Sequence, residues 1–123
     1  MFRNEYPQNW PEIARATKEA ARWRCIRCDH PHDRETGHVL TVHHFDGDKA
    51  NCLWWNLLAL CQRCHLSFQV RVNPDQPYMF EHSAWLRPYV AGFYAKKYEG
   101  LDLTRDEVMA RLDELLAHEL RTT

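Results

Sequence analysis

The spacing of hydrophobic and polar residues predicts two helices and two short strands in the first part of the chain. Apolar residues recur at helical intervals over residues 10–23, with a proline and an acidic residue in the first turn. The face of this helix that we expect to be buried consists of Ile13, Ala16, Ala20 and Trp23. Residues 38–43 and 56–60 predict strands, with a turn at Asp46-Gly47-Asp48 between them. Residues 62–72 predict a second helix.

The remainder of the chain predicts helices only. A break at 73–77 precedes a helix over residues 83–98, and Gly100 suits the end of that helix. The apolar positions of this helix are mainly aromatic: Trp85, Leu86, Tyr89, Val90, Phe93 and Tyr94. Thr104 and Glu107 form the sequence pattern of a capping box at the start of a last helix. Its apolar stripe consists of Val108, Leu112, Leu115, Leu116 and Leu120. The whole pattern predicts a mixed α+β fold.

Length and composition favour one domain spanning residues 1–123, with a core at 6–72 and a helical extension at 78–123. The chain has no apolar run long enough to cross a membrane, and residues 1–9 lack a signal-peptide pattern. We therefore expect a soluble, cytoplasmic protein without a membrane partner.

Charge is unevenly distributed although the formal net charge is only −1. Five basic residues stand at 13–27 with one opposing glutamate, whereas residues 101–123 carry six acidic residues and three arginines. The basic residues are Arg15, Lys18, Arg22, Arg24 and Arg27. They could form a basic face for nucleic acid, and an ordinary solvated helix surface is an equal alternative.

Four of the five cysteines form two C-x-x-C pairs, Cys25 with Cys28 and Cys61 with Cys64. Two such pairs supply the four ligands of a tetrahedral zinc site, which can contribute about 10–16 kcal/mol to the folding of a small chain. The fifth, Cys52, is expected to be a small buried apolar residue. His30 and His32 remain open as substitute ligands.

Three histidines suggest a second, catalytic metal site. His43 and His44 end the first predicted strand, and His65 lies near the start of the predicted helix that follows the second strand. Because neighbouring strand residues point to opposite faces, one of the two adjacent histidines can bind a metal ion while the other accepts a proton. Surface histidines, or core histidines bonded to the backbone, are the alternative.

The motif residues at 42–51 (VHHFDGDKAN) and 55–65 (WNLLALCQRCH), with the upstream Tyr6, Trp10 and first cysteine pair, resemble the HNH nucleases with zinc knuckles of bacteria and phages. The resemblance covers about residues 6–69. It implies a ββα-metal core, to which the sequence pattern adds N- and C-terminal helices. It also implies hydrolysis of DNA phosphodiester bonds with one divalent ion, most often Mg²⁺ or Mn²⁺, in a bacterial or phage-infected cell.

The resemblance also assigns roles by position. His43 and His65 match the ligands of the catalytic ion, and His44 matches the general base. Asn56 matches the middle asparagine, which braces the loop that orients the base. Some relatives have a third histidine ligand where this chain has Gln69, so water or phosphate would complete the shell.

Some assignments stay open within this resemblance. Asn51 is a rival for the middle asparagine, and we interpret Asp46 and Asp48 as turn residues. The candidate phosphate contacts on DNA are Arg22, Arg24, Arg27 and Arg63. One rival function is a non-catalytic, zinc-stabilised DNA-binding or assembly module. Another is a structural zinc protein whose aromatic helix at 83–98 docks a partner. The sequence gives no indication of the oligomeric state.

Overall fold

The computed structural model describes residues 5–71 and 84–118, with the backbone alone at 68–71. The first part contains helix α1 (Trp10–Ala20), strands β1 (Leu40–His44) and β2 (Leu57–Cys61), and helix α2 (Gln62–Arg71). The second contains helices α3 (Arg87–Glu99), α4 (Arg105–Ala110) and α5 (Leu112–Leu116). The mixed α+β class is therefore confirmed. None of the helices in the described ranges is long and apolar enough to cross a membrane.

The chain forms two compact units that divide between Val72 and Asn73. The predicted break at 73–77 lies outside the described residues. The expectation of a single domain stays a prediction, and each unit is described by itself below.

The sheet of the first unit consists of β1 and β2, which pair antiparallel with Leu40 opposite Cys61 and His44 opposite Leu57. Both predicted strands are confirmed, with starts shifted along the chain by one or two residues. His38 forms an isolated bridge with Asp33 before β1 begins. All five residues of β2 are buried, as expected for an uninterrupted apolar run. β2 is therefore the centre of this unit's core.

Helix α1 starts as predicted, but its buried face is not the predicted one. Ala16 and Ala20 are exposed, and the partly buried side of the helix includes Ile13 and Thr17. Trp23 lies beyond the end of the helix, has a φ of 56° and is 40% exposed. The prediction therefore holds only for Ile13. Trp23 was wrongly included because the chain leaves helical geometry after Ala20, so helical periodicity does not extend to it.

The second unit packs around α3. The helix begins at Arg87 rather than at residue 83, with Pro88 in its first turn, where a proline loses no helical hydrogen bond. Residues 88–95 are all buried, and Gly100 ends the helix in the left-handed conformation with a φ of 68°. These apolar and aromatic side chains are therefore core residues.

The last predicted helix has its capping box but is interrupted. The Thr104 hydroxyl accepts from the Glu107 backbone N–H at 3.2 Å, and a Glu107 carboxylate oxygen accepts from the Thr104 N–H at 2.9 Å. Arg111 leaves helical geometry, with a φ of −121°, and separates α4 from α5. Its guanidinium bonds both carboxylate oxygens of Glu99 at 2.9 and 3.0 Å, so a contact distant in sequence holds the break.

The predicted apolar stripe of this region packs only in part. Val108 and Leu115 are buried. Leu112 and Leu116 are partly buried, and Leu120 lies outside the described residues. The interruption at Arg111 shifts the helical phase between the two halves of the stripe. The side chains of the stripe are therefore buried to different extents.

Candidate active site and metal centre

The four predicted cysteine ligands lie together. Their sulfur atoms are all within 4.8 Å of one another, and the Sγ atoms of Cys28 and Cys61 are 3.8 Å apart. A zinc ion with four sulfurs at about 2.3 Å in a tetrahedron separates those sulfurs by about 3.8 Å. Three of the cysteines are buried and Cys28 is exposed. The cluster could therefore hold a structural metal ion such as zinc.

Backbone hydrogen bonds bring the first cysteine pair beside the second. The N–H of Ile26, within the first C-x-x-C turn, donates to the carbonyl of Ala59 in β2 at 3.0 Å. Asp29 closes that turn with a φ of 63° and donates its N–H to the Cys25 carbonyl at 2.9 Å. Cys61 ends β2, and Cys64 follows in the first turn of α2. The cluster thus joins an N-terminal loop to the junction of β2 and α2.

The pKa values of the thiols in this cluster are shifted in different directions. Burial, followed by the hydrogen bond with the Cys61 thiol, raises the pKa of Cys64. Burial also raises the pKa of Cys28. At Cys25 burial acts in the same direction, but backbone hydrogen bonds at Cys28 and Cys61 outweigh it and lower its pKa. A bound cation would displace the thiol protons and neutralise the crowded sulfurs.

The other histidines and the fifth cysteine have different environments. The ring of His30 stacks on that of His38 with a centroid distance of 3.6 Å, and Nδ1 of His32 accepts from the Leu40 N–H at 2.9 Å. Cys52 is partly buried, which corrects the expectation of a buried apolar residue; its Sγ is 4.0 Å from the Lys49 carbonyl oxygen. Within residues 5–71 and 84–118, the four cysteines are the only cluster of three or more histidine, cysteine, aspartate or glutamate residues that could hold one metal ion.

His43 and His65 approach each other on one side of β1. The Nδ1 atom of His43 lies 3.0 Å from Nε2 of His65, and the two rings meet edge to face at a centroid distance of 4.8 Å. The two residues are 22 positions apart in the sequence, and the pairing of β1 with β2 brings them together. The predicted pair of metal-binding histidines is therefore adjacent in space.

Thr41 defines which nitrogen of His65 carries the proton. Its hydroxyl donates to the Leu60 carbonyl at 2.7 Å, which uses its only hydrogen. The same oxygen lies 2.9 Å from Nδ1 of His65 and must therefore accept from an Nδ1–H. His65 consequently has its lone pair on Nε2, the nitrogen that faces His43.

The electrostatics of this pair fit a divalent ion. Burial, with smaller contributions from the neighbouring His65 and His44, lowers the pKa of His43 to about 4. Burial also lowers the pKa of His65, so both rings are neutral near pH 7. The 3.0 Å separation of the two nitrogens is that of a hydrogen bond, which Nδ1–H of His43 donates to the lone pair on Nε2 of His65. An ion bound by both nitrogens would take the place of that proton.

His44 lies on the opposite side of the strand in an aromatic environment. Its side chain is 7% exposed, and its ring contacts those of Trp10 and Tyr6 at centroid distances of 4.8 and 5.7 Å. Burial lowers the pKa of His44, although the carboxylates of Asp46 and Asp48 act in the opposite direction. The structure therefore separates His43 and His44 as the alternation of a strand predicts.

Asn56 is completely buried and holds the loop that follows His44. Its Oδ1 accepts from the Asp46 N–H and its Nδ2 donates to the Asn51 carbonyl, both at 2.8 Å. Its own carbonyl accepts from the Phe45 N–H, also at 2.8 Å. These bonds attach both ends of the loop to one side chain, which is the geometry expected of a brace.

The acidic residues of this loop are engaged in its turns. Asp46 accepts from the Asp48 N–H at 2.8 Å and from Nδ2 of Asn51 at 2.7 Å. Gly47 has a φ of 81°, a conformation that favours glycine. Asp48 accepts from the Ala50 N–H at 3.0 Å. The turn interpretation of both aspartates agrees with these bonds, and Asn51 supports the same loop from its far end.

The four candidate arginines differ in exposure. Arg22 and Arg24 are exposed, and Arg24 donates to the Asp29 carbonyl at 2.9 Å. Arg27 is partly buried. Arg63 is exposed on α2, two residues before His65. Contact of these side chains with phosphate stays a prediction. The side chain of Gln69 is outside the described part of the chain.

Three residues at this site had no role assigned to them from the sequence. Thr41 stands two positions before His43, so strand alternation could have placed both on one face. Tyr6 and Trp10 lie far from His44 in the sequence, and no local pattern indicates their contact with it. All three act on histidines that the sequence does identify.

Comparison of the chain with protein-family models, with curated proteins and with solved structures gave no match. The resemblance to HNH nucleases therefore rests on the motif residues themselves.

Proposed function

We propose that this chain is a metal-dependent endonuclease of the HNH kind that hydrolyses DNA phosphodiester bonds. The observation that carries the proposal is the 3.0 Å approach of His43 Nδ1 and His65 Nε2, with Thr41 fixing the tautomer of His65. Catalytic metal sites keep open positions beside their protein ligands, and two imidazoles leave several positions for water and phosphate.

His43 and His65 would hold the catalytic ion. When bound, a divalent ion such as Mg²⁺ or Mn²⁺ polarises a phosphate oxygen and stabilises charge on the leaving oxygen. The chain's contribution is to keep both imidazoles neutral at pH 7 and to aim their nitrogens at one point. Thr41 adds the outer hydrogen bond that typically orients a metal-binding histidine.

His44 would serve as the general base. Its lowered pKa leaves it neutral and able to accept a proton at neutral pH. It follows His43 directly, so a base and a ligand share one strand end. Asn56 fixes the backbone immediately after His44 and so limits the movement of the ring.

The four-cysteine cluster would supply stability to this small unit. Zinc there would hold the N-terminal loop against β2 and α2, and α2 carries His65. The exposed Arg63 lies on the same helix and is the candidate phosphate contact nearest in sequence to the proposed ion. DNA is therefore the partner that this arrangement favours.

A non-catalytic, zinc-stabilised DNA-binding or assembly module is the second candidate. The observation that favours it is the burial of His44, because a general base has to meet water. The docking role of α3 has less support, since Tyr89, Phe93 and Tyr94 are buried core residues.

A supercoiled-plasmid assay separates these functions. The zinc-loaded protein should nick the plasmid when Mn²⁺ or Mg²⁺ is added, and a chelator of the added ion should stop the reaction. His38→Ala is the matched control, because it removes a histidine outside the proposed site and should leave nicking intact. A folded, zinc-loaded protein that binds the plasmid without nicking it under any of these ions would contradict the nuclease and favour the binding module.

A further inference from the structure

Trp23 is exposed on a turn whose backbone conformation is unfavourable for the residues in it. Arg22 and Trp23 both have a φ of 56°, in the left-handed region that residues with a Cβ atom seldom adopt. The N–H of Arg24 donates to the carbonyl of Ala21 at 3.1 Å and closes the turn around them. Trp23 is 40% exposed. A bulky aromatic residue is thus held in a costly conformation where it gains only part of the burial that usually stabilises it.

Hydrogen bonds and a ring contact fix Trp23 in this conformation. Its N–H donates to the Lys18 carbonyl at 2.9 Å, and its carbonyl accepts from the His32 N–H at 2.8 Å. The rings of Trp23 and His32 meet edge to face at a centroid distance of 5.7 Å. The His32 ring is held in turn by the Leu40 N–H, which donates to its Nδ1 at 2.9 Å. The Trp23 backbone is therefore already ordered, so a ligand that contacts the ring pays little to order it.

Basic side chains surround Trp23. The Nζ atom of Lys18 lies over its ring at 5.9 Å from the centroid, and the two arginines that flank it in the chain are exposed. The one acidic residue among residues 13–27 is Glu19, whose carboxylate pairs with Arg15 at 3.0 Å. An aromatic ring among cationic side chains is the arrangement by which proteins bind single-stranded nucleic acid, because the ring stacks on a base while the cations contact phosphates.

We propose that Trp23 stacks on an unpaired base of the DNA, while Lys18, Arg22 and Arg24 contact the phosphates beside that base. This proposal rests on the nuclease function proposed above and names its substrate class, which is DNA with an unpaired nucleotide, such as a bulge or a flap. Basic residues alone would bind any DNA through its phosphates. The ring adds a preference, because the bases of a fully paired duplex stack on one another and do not offer their faces to a side chain.

Fluorescence anisotropy of labelled DNA, with zinc-loaded protein and no added Mg²⁺ or Mn²⁺, tests the contact. One duplex carries a single bulged thymine, and a second carries an abasic nucleotide at the same place. We expect the parent to bind the bulged thymine about 5- to 150-fold more tightly, the usual contribution of one stacked base. Trp23→Asn should bind both DNAs alike, because it lacks the ring, and asparagine tolerates the left-handed conformation. Trp23→Phe should keep most of the preference.

Two further variants separate base contact from phosphate contact and from general surface effects. Arg22→Gln should weaken binding to both DNAs by the same factor and reduce the salt dependence by about one phosphate contact. Met109→Asn is the matched control, since it removes a 49% exposed apolar side chain from the second unit and should change neither affinity. Zinc content and far-UV circular dichroism check that each variant is folded. The comparison of thymine with the abasic bulge needs only the parent protein.

The outcomes separate this proposal from the one it rests on. A parent that nicks DNA but binds the thymine and abasic bulges equally overturns this proposal alone. So does a folded, zinc-loaded Trp23→Asn variant with the parent's preference for thymine. A parent whose preference depends on Trp23 but that nicks no DNA supports the stacking contact and overturns the nuclease function. A parent that binds none of these DNAs overturns both.

Discussion

Replacement of the buried Asn56 by alanine should destabilise the first unit strongly. The substitution removes the partners of the Asp46 N–H and the Asn51 carbonyl, each bonded at 2.8 Å in the parent. A buried polar group left without a partner costs about 1–3 kcal/mol. Because Asn56 is fully buried, water cannot readily replace its amide, and the two groups together should cost about 2–6 kcal/mol.

Urea unfolding of the zinc-loaded protein, followed by tryptophan fluorescence, measures this loss. Asn51→Ala is the matched control. It also removes an amide that bonds the same loop, but Asn51 is partly exposed, so a cost of about 1 kcal/mol is expected. The typical net contribution of one hydrogen bond is about 1 kcal/mol. If the free energy of unfolding of Asn56→Ala lies within that amount of the parent's, the bracing role of Asn56 is refuted.

Three further predictions concern the metal sites and the second unit. Cys61→Ser should lose the single bound zinc in metal analysis and much of its folded structure, whereas Cys52→Ser should keep both; retained zinc in Cys61→Ser would exclude the four-cysteine assignment. Thr41→Val should weaken Mn²⁺ binding about 10- to 100-fold in calorimetry, because a metal-binding histidine loses its outer hydrogen-bond partner. The control Thr36→Val removes the hydroxyl 2.8 Å from His38 Nδ1 and should leave Mn²⁺ affinity unchanged. Equal Mn²⁺ affinities of the two variants would disprove the role of Thr41. Hydrogen bonds from His118 and Arg111 lower the pKa of Glu99 from 4.5. The stability that the ionised Glu99 gives to the folded protein is therefore complete above pH 4.5 and is lost as the pH falls through the lowered pKa. Glu99→Gln should therefore be less stable than the parent at pH 7 in thermal unfolding, with the difference shrinking in acid; a constant difference would argue against the ion pair.

The sequence predicts those features that depend on local spacing. The C-x-x-C pairs, the approximate positions of β1 and β2, the capping box of Thr104 and the glycine end of α3 all follow from residues within a few positions of one another. His43 and His44 fall on opposite sides of β1 because strand alternation has a fixed period. The joining of the cysteine pairs follows from the four ligands that a zinc ion takes, and the meeting of His43 with His65 follows from the antiparallel pairing of the two strands.

Features that depend on distant contacts could not be predicted. The interruption at Arg111 has no glycine or proline to mark it, and its guanidinium pairs with Glu99 twelve residues away. The bond of Thr41 to Leu60 requires the strand register, and the aromatic cover of His44 requires the path of the chain before α1. Trp23 was wrongly assigned to the buried face of α1 because the helix ends before it.

The roles of the three site histidines can be tested by comparing His44→Ala with His65→Ala. Calorimetric titration of Mn²⁺ gives the affinity for the catalytic ion with the structural zinc retained, and plasmid nicking gives the rate. We expect His44→Ala to bind Mn²⁺ like the parent and to lose about 100- to 10,000-fold in rate, the usual contribution of a general base. His65→Ala should lose both affinity and rate. The opposite pattern in Mn²⁺ affinity would show that the roles are misassigned, and parent nicking rates in both variants would contradict the nuclease.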